Sequence, residues 1–115
     1  MPIPTEIRLD RAAKVLHVTY DDGAQFALPA EYLRVESPSA EVQGHGPGQR
    51  TYLGGKQQVG IGAVQPVGQY AVRLVFDDGH DTGIFTWDYL RELGLEHDQR
   101  WPAYLAALSA RGLSR

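Results

Sequence analysis

The chain has 115 residues, enough for one domain with one modest core. With 43% apolar and 22% charged residues it reads as an ordinary soluble globular protein, and no run approaches the roughly 18 apolar residues of a membrane helix. The absence of cysteine excludes disulfides, thiolate nucleophiles and cysteine-ligated metals, and a net charge of -3 with scattered Lys and Arg argues against nucleic-acid binding.

Thr5 to Leu9 alternates, with Ile7 and Leu9 on one face, which predicts a first strand. Arg11-Ala12-Ala13 turns the chain. From Val15 to Tyr20, Leu16, Val18 and Tyr20 make one strongly apolar face of a second strand. Asp21-Asp22-Gly23 is a tight turn in which glycine can take positive φ. Phe26 and Leu28 continue as a third strand; Pro29 stops it and suits the first turn of a helix over 30–35. Residues 37–55, rich in Gly and Pro, form the longest irregular stretch, and a loop of that length in a small domain is either mobile or functional.

Gln57 to Val67 reads as a strand weakened by Gly60 and Gly62, with Val59, Ile61 and Ala63 sharing a face. Pro66 and Gly68 make the next turn. Tyr70 to Phe76 is the clearest strand, with Val72, Leu74 and Phe76 on its apolar face. Asp77-Asp78-Gly79 repeats the earlier turn. His80 to Phe85 returns as a strand one residue longer than its counterpart, with Gly83 as a bulge that absorbs the difference. Thr86 caps a helix carrying Asp88 in its first turn, which runs to about Leu93 and is closed by Gly94. A last helix over 98–110 carries Trp101, Tyr104, Leu105 and Leu108 at helical spacing. Asp98 is its N-cap, Pro102 falls in its first turn or so, and Gly112 is its stop.

The two halves repeat each other. Tyr20-Asp21-Asp22-Gly23 leads to Glu31-Tyr32-Leu33-Arg34, and Phe76-Asp77-Asp78-Gly79 leads to Asp88-Tyr89-Leu90-Arg91. The expected fold is α+β: a small, largely antiparallel sheet built from two pseudo-repeated hairpin-plus-helix units, with a C-terminal helix. The whole chain, 1–115, is one domain, its core about 4–108.

Several runs together resemble one family. They are Pro4-Thr5-Glu6-Ile7, the two Asp-Asp-Gly turns, Leu28-Pro29-Ala30-Glu31-Tyr32-Leu33-Arg34, Ser37-Pro38-Ser39-Ala40-Glu41-Val42, Gly44-His45-Gly46-Pro47-Gly48 and the run from Gly79 to Leu90. The family consists of small stand-alone bacterial proteins named for the N-terminal domain of γ-butyrobetaine hydroxylase. In those hydroxylases the large C-terminal domain carries the iron and 2-oxoglutarate chemistry. The resemblance implies a zinc site in the small domain, with three cysteines and one histidine as ligands. Here the cysteine positions fall at or near Ser37, Ser39 and Val42, and the histidine at His80. Serine hydroxyls are poor zinc ligands and valine is none, so zinc of the hydroxylase type is not expected. Similar domains occur fused to P-loop ATPases that carry iron–sulfur clusters, which implies an accessory role in metal or cluster handling.

Each candidate site has a plainer reading beside it. His80 is a metal ligand, assisted by His45, Asp81 or Asp78 in an oxygen/nitrogen site for a weakly bound divalent ion, or a hydrogen-bonding hub beside the loop containing Ser37 and Ser39; its plainer reading is a strand histidine that donates to a carbonyl of the neighbouring loop. The Asp-Asp pairs lack calcium-loop spacing and suit hairpin tips. Gly54-Gly55-Lys56 fails the nucleotide-loop pattern, because Arg50 stands where its first glycine belongs and Gln57 follows the lysine; an anion held by Arg50 and Lys56 is the residual reading. Trp87, Tyr89, Trp101 and Tyr104 pack a core or form a recognition surface. No nucleophile elbow or His-x-x-x-His pair is present, and no catalytic constellation emerges. The expectation is a non-enzymatic, cytoplasmic accessory or adaptor domain without a required cofactor. Its partner would be a protein, an iron–sulfur carrier ATPase or an oxygenase acting in trans; the oligomeric state is open.

Overall fold

Alternating apolar side chains make the strands, and six of them form in the computed structural model, which describes residues 2–39 and 52–115. The first unit is β1 (Pro4–Asp10), β2 (Val15–Tyr20), β3 (Gln25–Pro29) and helix α1 (Ala30–Val35). The second is β4 (Ile61–Val67), β5 (Ala71–Phe76), β6 (Gly83–Thr86) and helix α2 (Trp87–Leu95), followed by α3 (His97–Ala110). Every strand pairing is antiparallel. The sheet expected from the sequence resolves into two three-stranded sheets, β1-β2-β3 and β4-β5-β6.

The inner faces of both sheets feed one core. Leu16, Val18, Tyr20 and Leu28 come from the first sheet, and Val72, Leu74, Phe76 and Phe85 from the second; Tyr32, Leu33, Leu90 and Leu93 of α1 and α2 join them. Neither three-stranded unit could bury its apolar face alone, so the two stabilise each other. Val35, Tyr104 and Leu108 form a satellite cluster under α3.

The repeat extends to hydrogen-bond detail. In both turns the glycine N–H donates to the carbonyl three residues back, Gly23 to Tyr20 at 3.0 Å and Gly79 to Phe76 at 3.3 Å. Both glycines have positive φ, 88° and 92°. The first aspartate of each turn pins the start of its own unit. Asp21 accepts the Ile3 N–H at 3.4 Å and Asp77 the Gly60 N–H at 3.0 Å. Each unit also has a register shift near the start of its first strand, between Pro4 and Glu6 and between Ile61 and Ala63.

Several local expectations change. The β4 strand begins at Ile61 rather than Gln57. The extra residue of the second hairpin is not taken up by a bulge at Gly83. Gly83 pairs in register with Leu74, and the extra residue falls before it, between Gly83 and His80, whose carbonyl accepts the Phe76 N–H at 2.9 Å. Gly94 lies inside α2, because a Cβ there would strike the Phe26 ring. Helix α3 starts at His97, its N-cap position is Glu96, and Pro102 lies beyond the first turn. Its end matches expectation: the Leu113 N–H donates to Leu108 at 2.9 Å and Gly112 to Ser109 at 3.1 Å, the paired bonds of a glycine-terminated helix. No helix among the described residues is long and apolar enough to cross a membrane.

Candidate functional site

The second aspartate of each turn reaches across to the other unit. Arg34 of α1 donates through Nε to Asp78 at 2.9 Å, and Arg91 of α2 donates through Nη2 to Asp22 at 2.6 Å. Each guanidinium also lies over the aromatic residue that precedes the opposite turn, Arg34 over Phe76 at 6.0 Å and Arg91 over Tyr20 at 5.1 Å. Two tyrosines exchange in the same way: Tyr32 donates to the Leu93 carbonyl at 2.7 Å and Tyr89 to the Glu36 carbonyl at 2.6 Å. The Glu/Asp-Tyr-Leu-Arg runs are therefore clasps between units. The sequence assigned Asp22 to its turn alone and offered Asp78 as a turn residue or a helper ligand beside His80; the joint recurrence of turn and clasp was the signal for more.

The symmetry breaks where each hairpin meets the helix of the other unit. On the first hairpin, the Phe26 ring packs against Gly94 of α2. On the second, the strand residue in the corresponding position is Gly83 and the residue it faces, just past α1, is Ser37. A Cβ on Gly83 would lie 2.5 Å from Ser37 Oγ. Bulk is exchanged for a polar cluster. Ser37 Oγ is 3.0 Å from His80 Nε2, Ser39 Oγ is 3.4 Å from the same nitrogen, and the two hydroxyls are 3.4 Å apart. Ser37 is fully buried and His80 is 5% exposed. The His80 backbone keeps the repeat's pairing, its carbonyl accepting the Phe76 N–H at 2.9 Å as that of Ala24 accepts the Tyr20 N–H at 2.8 Å.

Three of the four positions that the resemblance assigned to a zinc cage, Ser37, Ser39 and His80, thus converge on one point. Val42 and His45 lie outside the described residues, as does Arg50. Asp81 is exposed while its neighbour His80 is buried. The convergent donors are two neutral hydroxyls and one imidazole. Among the described residues no thiolate or carboxylate joins them to neutralise a dication, and two hydroxyls with one imidazole do not fit zinc. Among the described residues, no group of three or more His, Cys, Asp or Glu is placed to hold a metal ion.

Asp78 borders this cluster. It accepts from Arg34 and, at 2.6 Å, from Lys56, and its other oxygen accepts the His80 backbone N–H at 3.2 Å. Burial raises its pKa, but the hydrogen bonds from Lys56, His80 and Arg34 outweigh that and hold the carboxyl at about 2. Lys56, offered by the sequence as an anion ligand, is thus committed to a carboxylate. The aromatic residues divide. Tyr104 is buried, and Trp87, Tyr89 and Trp101 are half-buried against the core. Sequence reasoning missed an open pocket lined by Pro2, Ile3, Tyr70, Thr86, Trp87 and Asp88, because no periodic signal joins residues so far apart in the chain.

The model of the γ-butyrobetaine hydroxylase-like N-terminal family matches residues 7–91, most of both units. The chain belongs to that family. Two solution NMR structures share its fold at a TM-score of 0.86, with 54% and 47% identity; each covers 100% of this chain, and 90% and 86% of the other. A crystal structure of a protein of unknown function from Acidithiobacillus ferrooxidans ATCC 23270, of the DUF971 family, is 45% identical at a TM-score of 0.67. It covers 79% of this chain and 91% of that one. No curated protein matches the chain. For this family member, the clasps and the Ser37–Ser39–His80 cluster are the features that join the two units.

Proposed function

We propose that this domain is a non-catalytic accessory module in which a hydrogen-bonded serine–histidine knot stands where the resemblance puts a metal cage. One observation carries this reading: the Ser37 hydroxyl meets His80 Nε2 at 3.0 Å in a fully buried position. A serine and histidine at that distance could also be a nucleophile and its base. Burial argues against that, because a substrate carbonyl must reach the hydroxyl and Ser37 has no exposed surface. The charged groups beside it, Arg34, Lys56 and Asp78, are spent on one another. The site's chemistry holds the protein together rather than acting on a ligand.

On this reading the domain works through a protein partner. The resemblance points to metal or iron–sulfur handling, with an iron–sulfur carrier ATPase or an oxygenase as that partner. Affinity purification of the full chain should return a stoichiometric partner of one of these kinds, and the isolated chain should turn over no small metabolite. Recovery of no partner, together with turnover that His80→Ala abolishes, would contradict the reading.

A further inference from the structure

Glu31 and Asp88 occupy the same position in the two units, the first turn of the helix that follows the hairpin. Glu31 is 7% exposed and gripped by Arg115, whose Nε lies 3.0 Å from one carboxylate oxygen and Nη2 2.7 Å from the other. The same guanidinium lies over the Trp101 ring, 5.4 Å from its centroid, and Tyr32 meets that ring edge-on at 6.1 Å. A carboxylate and an indole, the indole braced edge-on by a tyrosine ring, hold one arginine.

Asp88 has the same three ingredients and no arginine. With Trp87 and Tyr70 it lines an open, mostly apolar pocket of about 320 Å³, completed by Pro2, Ile3 and Thr86. Tyr70 is 71% exposed and Ile3 52%. Asp88 has no cationic partner among the described residues. The pocket wall is already fixed. The Trp87 indole N–H donates to the Gln69 carbonyl at 2.8 Å, and its backbone N–H to Tyr70 at 2.9 Å. A preformed wall lowers the ordering cost of binding.

We propose that the Tyr70–Trp87–Asp88 pocket binds an arginine side chain presented by a protein partner, as Glu31 and Trp101 hold Arg115. The apolar walls take the aliphatic stem, the carboxylate pairs with the guanidinium, and the aromatic rings face its plane. The proposal supplies a partner chemistry for the accessory role above and rests on it.

The test is an NMR titration of the ¹⁵N-labelled full chain with N-acetyl-arginine methylamide, using the norleucine analogue as the ligand without a guanidinium. Saturable shifts at the Trp87 indole, Tyr70 and Asp88 are expected. Binding should weaken at least about fivefold for Asp88→Asn, for Tyr70→Ala and for the norleucine analogue, while Arg115→Ala leaves it unchanged at this pocket. The same spectra report whether each variant is folded. Absence of saturation up to tens of millimolar, equal affinity in Asp88→Asn, or shifts centred on Trp101 would each overturn the proposal. If affinity purification still returns a stoichiometric partner, the accessory reading survives that failure.

Discussion

Arg34 and Arg91 perform the same task at different depths. The Arg34 side chain is 10% exposed and its partner Asp78 20%; for Arg91 and Asp22 the values are 23% and 41%. Arg34 also carries a cost, because its Nη1 is buried without a hydrogen-bond partner. Removing a charge still leaves the deeper carboxylate less compensated than the shallower one, which water can solvate. Arg34→Ala should lower stability by about 2–3 kcal/mol, and Arg91→Ala by clearly less, as read by denaturant unfolding of the two variants side by side. Asp78 adds a pH dependence of definite sign. Its carboxyl is held at about 2 against an ordinary 3.8, so ionisation favours the folded state. That contribution is complete above about pH 4 and disappears as the pH falls through about 2. It is on the order of 1 kcal/mol once solvent screening is allowed for. Asp78→Asn should therefore flatten the acid limb of the stability profile, and an unchanged slope between pH 4 and 2 would show that the hydrogen bonds do not act as described.

At the scale of elements, the exchange of Phe26–Gly94 for Gly83–Ser37 puts a ring in one hairpin–helix contact and a buried hydroxyl in the other. Helix propensity alone would favour Gly94→Ala by about 1 kcal/mol. The ring of Phe26 reverses the sign, and the substitution should destabilise by about 1–3 kcal/mol. A second change, Phe26→Ala, should relieve part of that loss, so that thermal melts of the four proteins in a double-mutant cycle show favourable coupling. These contacts also show what the sequence could convey. Val15 to Tyr20 and Ala71 to Phe76 were legible because a buried face imposes a period of two. The turns were legible because Asp-Asp-Gly meets a local backbone demand. Gly83 and Gly94 were misread as a bulge and a helix stop, since a glycine that makes room for a distant side chain looks the same in sequence as one that bends the chain. The clasps from Arg34 and Arg91 were hidden for a related reason: their partners lie in the other unit, and the repeat shows only that both ends recur. Of the candidate site, the convergence of Ser37, Ser39 and His80 followed from the resemblance, whereas the place of Ser37 depends on a glycine at 83, where a Cβ would meet its hydroxyl.

Across the whole molecule, two units share one core and exchange arginines, tyrosines and ring contacts across it. A buried polar departure from that symmetry is the junction of Ser37, Ser39 and His80, and the account of function turns on whether hydrogen bonds or a metal hold it. Elemental analysis of untagged protein purified without chelator decides between them. The account predicts metal well below one equivalent per chain and no change in His80→Ala; about one equivalent of zinc or another divalent ion, lost in His80→Ala, would contradict it.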